Sequence, residues 1–147
     1  TLVWPSTGNY GIGGAWVGGR MGCNSLVVLP QGMSRERFER IAGFGAEVIK
    51  TPGVESNVKE IYDKTWELRR DPSIRILNQF EMMGNYRFHY HVTGNTIVEL
   101  AEELKNRGVG RGAVAAFCSA IGSAGTIAAG RASNHRPAGS CCHDLRR

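Results

Sequence analysis

The sequence predicts an α/β fold in which a parallel sheet carries helices on both faces. Short apolar segments alternate with helical segments along most of the 147 residues, and the connections between them are short. The segment Leu26–Leu29 is apolar without alternation, which is typical of a parallel strand buried on both faces. Strands that alternate with helices in this way form parallel sheets through right-handed crossovers.

The first predicted elements are a strand that ends at Leu2–Trp4 and a helix from about Asn9 to Met21. The helix is rich in glycine, which lowers the stability of an isolated helix by about 1 kcal/mol per residue relative to alanine. We therefore expect it to pack so closely against a sheet or a ligand that only small residues fit. The small residues in question are Gly13, Gly14, Ala15, Gly18 and Gly19.

The next predicted elements are the buried strand Leu26–Leu29, a helix capped by Ser34 and ended by Gly45, and a strand over Glu47–Lys50. A helix follows Pro52-Gly53, with one apolar stripe at helical spacing. The stripe consists of Val58, Ile61, Tyr62, Thr65 and Trp66.

Further along the chain, Ile74–Leu77 is predicted to be a strand, and a helix is predicted from Thr96 to Asn106. Thr96 and Glu99 have capping-box spacing. The run Ala113–Ile121, which contains Cys118, is predicted to be another buried strand that leads into a final helix. Residues 131–147 show no apolar periodicity, and we expect this tail to be irregular.

Two glycine-rich loops, Ser6–Gly11 and Gly122–Thr126, each follow a predicted strand and precede a predicted helix. The unpaired N–H groups of a helix start and its dipole favour anions. The loop Gly122–Thr126 is built from small residues and hydroxyls, so it predicts a phosphate site. The loop Ser6–Gly11 offers N–H groups and short polar side chains that suit a carboxylate.

Simpler interpretations of both loops remain open: an ordinary tight turn for the second, and an ordinary helix cap for the first. No Gly-Lys-Ser/Thr follows either loop, which argues against a nucleoside triphosphate site. The spacing Gly-x-Gly-x-x-Gly fails because Trp16 stands where the third glycine is needed.

Charge and composition exclude several classes. The net charge of +5 comes mostly from the arginines of residues 131–147, so the body of the chain gives little support to nucleic-acid binding. No segment approaches the roughly 18 apolar residues of a membrane span. His89 and His91 would face one way on a strand, but with no ligating partner nearby we interpret them as packing residues and predict no metal site. The cysteines have neither zinc nor disulfide-framework spacing, which favours a reducing, cytoplasmic location. They are Cys23, Cys118, Cys141 and Cys142.

Taken together, the motifs resemble fold type II pyridoxal-phosphate (PLP) enzymes, the cysteine synthase and cystathionine β-synthase family. Ser6–Gly11 resembles that family's Ser-Gly-Asn-Thr-Gly loop, and Gly122–Thr126 resembles its Gly-Thr-Gly-Gly-Thr phosphate loop. The order and spacing of the other matching segments also agree. These are Leu29-Pro30, Met33-Ser34, Glu36-Arg37, Gly45–Val48, Thr51–Gly53 and Asn78–Phe80.

The resemblance implies a role for each loop. Asn9 would bind the ring hydroxyl of pyridoxal 5'-phosphate, and residues Gly122, Ser123, Ala124, Gly125 and Thr126 would hold its phosphate. The carboxylate of a small amino-acid substrate would be bound by Ser6, Thr7, Gly8 and Tyr10, with help from Gln79. The implied chemistry is β-replacement or β-elimination on a serine- or cysteine-like amino acid, with the cofactor as electron sink.

The resemblance also implies an organisation into lobes. Residues 1–21 and 78–130 would belong to the larger, PLP-binding lobe, residues 22–77 to a small mobile lobe, and residues 131–147 to the tail. We expect the chain to be a fragment that is inactive alone, because the family's Schiff-base lysine precedes the first loop and no lysine here matches it; we therefore predict no catalytic residue within it. The full-length protein is expected to be a homodimer.

Two substitutions distinguish the chain from the family pattern. Tyr10 replaces a threonine at the substrate edge, which puts O-acetylserine specificity in question. Ala124 replaces a glycine, and we expect this change to matter little because the N–H is kept. Other activities on the same fold remain open: an ammonia-lyase, or the β-subunit of an amino-keto-acid thiolase. From another class, a non-catalytic module that binds a phosphorylated metabolite remains open as well.

Overall fold

The computed structural model describes residues 1–134, and it describes side chains up to Gly130. The chain forms two compact units, residues 1–81 and the part that begins at Met82, and each is described by itself. This division follows compactness, so the functional lobes expected from the resemblance stay a prediction. Cys141 and Cys142 lie outside the described residues.

The first unit is built on a parallel sheet whose described strands are β1 (Leu2–Pro5), β2 (Ser25–Pro30), β3 (Glu47–Thr51) and β4 (Arg75–Ile76). Their order across the sheet is β3-β2-β1-β4. Every neighbouring pair is parallel, with Val3 of β1 opposite Leu26 of β2 and Ile76 of β4. The predicted α/β class is thus confirmed, and β1 lies between β2 and β4.

Helices cover both faces of this sheet. On one face, α1 (Asn9–Arg20) and α2 (Arg35–Gly43) pack against a cluster of buried side chains centred on Trp4, Val27 and Leu29. On the other face, α3 (Val58–Leu68) packs through Ile61 against Val3, Leu26 and Val28. Each strand therefore contributes alternate residues to two cores, which explains why β2 is buried along its whole length.

Two glycines of α1, Gly14 and Gly18, lie in close contact with the sheet, as the sequence predicts for the small residues of this helix. A methyl group added at Gly14 would overlap the Trp4 indole, and one added at Gly18 would overlap the Ser25 side chain. Gly13 lies on the opposite side of the helix, where an added methyl group would meet nothing within 4 Å. Packing against the sheet therefore explains the glycines at positions 14 and 18, and nothing in the structure explains the glycine at position 13.

The buried stripe of α3 differs from the predicted one at its C-terminal end. Ile61 and Thr65 are buried, whereas Trp66 is 57% exposed and stacks against the Arg69 guanidinium at 4.5 Å. Leu68 packs into the core instead. In the last turn of α3, Leu68 and not Trp66 therefore faces the sheet. The cation–π contact with Arg69 gives the exposed indole a partner at the surface.

The second unit begins with one continuous helical segment: α4 (Gly84–Phe88), a π-helical turn (His89–Thr93) and α5 (Gly94–Asn106). The predicted helix start at Thr96 is wrong by about three turns. Thr96 lies inside the helix, and its hydroxyl donates to the Val92 carbonyl at 2.9 Å instead of capping an end. Likewise, His89 and His91 lie on the π-helical turn and not on a strand.

The predicted buried strand over Ala113–Ile121 is absent from the described structure. The segment is irregular, and Cys118 and Ile121 within it are exposed. A strand needs a neighbour for its backbone hydrogen bonds, and among residues 82–134 the structure contains only helical elements and loops. The second glycine loop therefore follows an irregular segment, contrary to the prediction. It precedes α6 (Gly125–Asn134), which extends into the predicted irregular tail; residues 135–147 lie outside the described residues.

Within the described part of the chain, no helix is both long and apolar enough to cross a membrane. Nor do three or more His, Cys, Asp or Glu side chains converge among residues 1–130 in a way that could hold a metal ion.

Candidate active site

The loop Ser6–Gly11 lies where the strand order of the sheet reverses. From β1 the chain moves outward to β2 and β3, and then returns to the other side of β1 to form β4. In open parallel sheets, ligands bind beyond the carboxyl ends of the strands at this switch point. The segment Asn78–Phe80 follows β4, so the sheet brings Gln79 to the same edge as the first loop.

A hydrogen bond ties the two segments together at this edge. The Tyr10 hydroxyl donates to the Leu77 carbonyl at 2.9 Å, and the Tyr10 ring packs edge-on against Trp4 at 5.8 Å. Burial raises the pKa of the Tyr10 phenol because it disfavours the charged form. Tyr10 is thus neutral near pH 7 and anchors the first turn of α1 to the chain after β4.

Ser6 shapes the loop from inside. Its side chain is 2% exposed, and its Oγ accepts the N–H of Gly8 at 3.0 Å and the N–H of Gly11 at 2.9 Å. Its hydroxyl in turn lies 3.2 Å from the Gly8 carbonyl, to which it donates. Ser6 therefore holds the loop's curvature, while Thr7 and Gly8 are half-buried and Asn9 is exposed.

Gly8 is the last residue before α1, and its extended backbone starts the helix without a side-chain cap. The first N–H groups of a helix have no partner within the helix, so those of Asn9 and Tyr10 remain available at this edge. A glycine before them leaves space for a carboxylate to approach the backbone. Ser6 accepts the N–H of Gly11, whereas the N–H groups of Asn9 and Tyr10 are left as donors for an anion.

Two residues at this edge were not singled out as site residues by the sequence. Arg37 of α2 donates from Nη1 to the Thr7 carbonyl at 3.2 Å, so a cation lies beside the loop. Asn78 is 1% exposed; its Oδ1 accepts the Phe80 N–H at 3.1 Å, and its Nδ2 has no partner. A polar residue directly after a strand at the switch point is the one signal that could have indicated Asn78.

The second loop, Gly122–Thr126, belongs to the second unit and starts α6. Ala124 adopts the left-handed region with φ of 62°, and its carbonyl accepts the Ala128 N–H at 3.1 Å. Left-handed backbone costs a residue with a Cβ about 1 kcal/mol or more. The expectation that alanine in place of glycine changes little therefore needs revision: it keeps the N–H but strains the backbone.

Gly125 makes the closest approach in this loop. A methyl group there would overlap Oδ1 of Asn85, and this buried oxygen has no hydrogen-bond partner. Turning the amide of Asn85 over would present its NH2 group to the helix start. The small residues and the helix N-terminus fit a phosphate group, to which the Asn85 amide would donate only in the turned-over orientation.

A scan against protein families matches residues 1–134 to the family described as "Pyridoxal-phosphate dependent enzyme". The chain is 32% identical over 127 residues to the cysteine synthase of Staphylococcus aureus, which covers 86% of this chain and 38% of that protein. It is 34% identical over 110 residues to the cystathionine beta-synthase of Saccharomyces cerevisiae, covering 71% of this chain and 21% of that one.

Among solved structures, a hydrogen sulfide-producing enzyme from Fusobacterium nucleatum superposes with a TM-score of 0.73 and 28% identity, covering 91% of this chain and 41% of that chain. The α/β fold is thus one that this chain shares with a solved enzyme structure. The chain belongs to the pyridoxal-phosphate dependent enzyme family. It spans about 38% of the length of the cysteine synthase that it matches.

Proposed function

We propose that the full-length protein catalyses PLP-dependent β-replacement or β-elimination on a serine- or cysteine-like amino acid. The observation that carries the proposal is the switch-point loop Ser6–Gly11, with Gln79 at the same sheet edge, in a chain 32% identical to a cysteine synthase. Bound PLP supplies an electron sink that lets a leaving group depart from the β-carbon of an amino acid.

Some residues of the first loop would bind the substrate, and Ser6 holds the loop in shape. Thr7, Asn9 and Tyr10 present N–H and polar groups at the switch point, and Gly8 leaves space beside them. We assign the substrate carboxylate to this surface, with Asn9 toward the cofactor ring. Ser6 uses its Oγ on the loop's own N–H groups, so its contribution is to hold the loop in a binding-competent shape. Gln79 is half-buried at the next strand end and would supply a further donor.

The second loop would hold the cofactor phosphate through residues 122–126. The N-terminus of α6 provides N–H groups and a favourable dipole, and Ser123 and Thr126 add hydroxyl donors. Gly125 allows the backbone to lie close to Asn85, which would bring one more amide to the phosphate.

The amino-acid specificity would depend on Tyr10. Tyr10 stands in the sequence where the resemblance places a threonine at the substrate edge, and its side chain is fixed by the hydrogen bond to Leu77 and by Trp4. A rigid aromatic side chain at that edge would narrow the space for a large leaving group. We therefore favour serine- or cysteine-sized substrates over O-acetylserine.

The test is an assay of the purified full-length protein with PLP. Serine, cysteine and O-acetylserine are each supplied with and without sulfide or homocysteine; pyruvate, sulfide and thioether products are quantified. We expect product from at least one of these substrates and a change in the cofactor's absorbance on its addition. Tight PLP binding with ammonia release but no exchange of a β-substituent would instead support an ammonia-lyase.

A second candidate, a non-catalytic module for a phosphorylated metabolite, is favoured by one observation. The small residues, hydroxyls and helix N-terminus of the second loop would suit the phosphate of other esters as well as that of PLP. Under this candidate, other small phosphate esters would displace PLP and no amino acid would change its spectrum. A thiolase β-subunit would act instead on an amino-keto acid, which is supplied in a separate reaction.

We further propose that the full-length protein is a cytoplasmic homodimer. Cys23 and Cys118 are free, exposed thiols, as expected in a reducing compartment. The dimer rests on the family resemblance alone, and light scattering of the full-length protein tests it: a mass of one chain contradicts it.

A further inference from the structure

Arg37 differs from the two other arginines of α2. Its side chain is 33% exposed, compared with 92% for Arg35 and 63% for Arg40, each of which pairs with a glutamate four residues away on the same helix. Arg37 instead turns away from its own helix toward the loop Ser6–Gly11. A long charged side chain gives up this much solvent only where it gains contacts.

The contacts of Arg37 are on the backbone of the loop. Nη1 donates to the Thr7 carbonyl at 3.2 Å and lies 3.9 Å from the Met33 sulfur. A Cβ added at Gly8 would lie 3.9 Å from Cζ and 4.0 Å from Nη2 of Arg37. The guanidinium therefore lies beside Gly8, on the side where a residue other than glycine would carry its side chain.

Arg37 and Ser6 hold the same peptide group from opposite ends. In a trans peptide the C=O of Thr7 and the N–H of Gly8 point in opposite directions. Arg37 binds that C=O, and Ser6 Oγ accepts that N–H at 3.0 Å. With both ends held, the peptide plane is fixed, and so is the direction in which the following N–H groups of α1 point.

The charge of Arg37 is largely uncompensated. Its nearest carboxylate is that of Glu55, 3.9 Å from Nη1 and 68% exposed. Such an exposed pair at the limit of contact distance is weak and is screened by solvent. A guanidinium beside N–H donors adds a positive potential to the anion site, and a guanidinium binds carboxylates well.

We propose that Arg37 is a positioning residue of the substrate loop. It fixes the Thr7–Gly8 peptide and supplies the positive charge that makes this loop select a carboxylate over a neutral group. This inference rests on the proposed function of the loop and adds to it a residue on α2, a helix that contributes no residue to either glycine-rich loop.

The experiment compares an amino acid with its amide. The full-length protein loaded with PLP is titrated with L-serine and with L-serinamide, and binding is followed by the cofactor's absorbance. The variants are Arg37→Gln, which removes the charge, Arg37→Lys, which keeps the charge without the planar fork, and Arg40→Gln as the control from the same helix.

We expect Arg37→Gln to weaken serine binding about tenfold and to leave serinamide binding within a factor of about two, since only the acid carries the charge. Arg37→Lys should fall between this variant and the wild type, and Arg40→Gln should match the wild type. In turnover assays, KM for the amino acid should rise while kcat is retained.

Two results overturn the inference, and they differ. If the wild type responds to serine and folded Arg37→Gln keeps the same acid-to-amide ratio, Arg37 has no role in selection, although the proposed function stands. If the wild type shows no response to any amino acid, the proposed function fails and this inference fails with it. Should Arg37→Gln not fold, an unchanged ratio in Arg37→Lys with an unchanged KM counts against the inference.

Discussion

The two units of the chain contrast in how much of their apolar surface is buried. In residues 1–81 two buried clusters enclose a parallel sheet, with Val3, Val27 and Val28 fully inaccessible. Among the described residues from Met82 onward, Ala129 is the one buried hydrophobic side chain, and many large apolar side chains are exposed. The exposed ones include Phe88, Val92, Leu100, Val109 and Ile121.

The two glycine-rich loops show the same contrast. The first is held by Ser6 within it, by Arg37 from a neighbouring helix and by Tyr10 at the start of α1. The second follows an irregular segment and contains Ala124 in strained left-handed backbone. Similar glycine content can therefore accompany a tightly specified loop or a loosely specified one, and the difference lies in the side-chain hydrogen bonds that hold the first loop.

The largest expected effect is on the contact of α1 with the sheet in the first unit. Gly14→Ala would force a methyl group into the Trp4 ring, and we expect the free energy of unfolding to fall by about 3 kcal/mol. The control Gly13→Ala, on the exposed side of the same helix, should raise stability by up to about 1 kcal/mol. Urea unfolding measures both; equal effects would show that α1 does not pack as described.

The next effect concerns the loop itself. Ser6→Ala removes the acceptor of the Gly8 and Gly11 N–H groups, and we expect a loss of about 2 kcal/mol because buried donors lose their partner. Ser34→Ala is the matched control, since the side chain of Ser34 makes no cap hydrogen bond to α2. If Ser34→Ala lowers the free energy of unfolding as much as Ser6→Ala does, Ser6 does not hold the loop in shape.

A smaller effect, which depends on pH, belongs to Tyr10. Tyr10→Phe loses one hydrogen bond, to the Leu77 carbonyl, and should cost about 1 kcal/mol at pH 8. Because the folded-state pKa of Tyr10 is raised above its unfolded value, the wild type's advantage is complete below the unfolded pKa. It should be lost as pH rises through the folded pKa. Unfolding curves at pH 8 and pH 11 measure this, and an advantage that grows with pH would contradict the burial of the phenol.

The smallest expected effect concerns Ala124 in the second loop. Ala124→Gly relieves left-handed strain but adds chain entropy to the unfolded state, so we expect a gain of about 0.5 kcal/mol. Ala128→Gly, in the exposed interior of α6, should lose about 1 kcal/mol. Thermal unfolding of the two variants should shift in opposite directions; a destabilised Ala124→Gly would show that the strain is absent.

The fold of the first unit could be predicted because its signals are local and agree with one another. The unbroken apolar run of β2, the small residues of α1 and the turn residues after each helix all specify the same parallel arrangement. Trp66 is the exception: helical spacing placed it with Ile61, but an indole can also lie at the surface with its face against Arg69. Periodicity alone does not choose between these two environments.

The second unit was predicted less well because its signals depend on partners. An apolar run such as residues 113–121 becomes a strand only beside another strand, which the described part of this unit lacks. The helix before it starts at Gly84 and passes through a π-helical turn, and glycine is a weak indicator of a helix start. Thr96 has the spacing of a helix cap, but its hydroxyl donates to the Val92 carbonyl inside the helix instead.

At the candidate site, the positions of the loops could be predicted, but the residues that support them could not. A glycine between a strand and a helix indicates a tight turn, which located the loop around Gly8; the binding roles of Ser6, Gly8 and Tyr10 stay a prediction. Arg37 and Asn85 reach their loops from other helices, and no sequence spacing records such a contact. Such contacts can be identified only once the positions of the helices are known.

Phosphorus NMR of the full-length protein with equimolar PLP tests our proposal that the second loop holds the phosphate of PLP. In the wild type we expect a broadened resonance, shifted from that of free PLP. In Gly125→Ala, where the added methyl group meets Asn85, we expect a resonance close to the position of free PLP. A resonance that is free-like in the wild type, or equally shifted in both proteins, would contradict it.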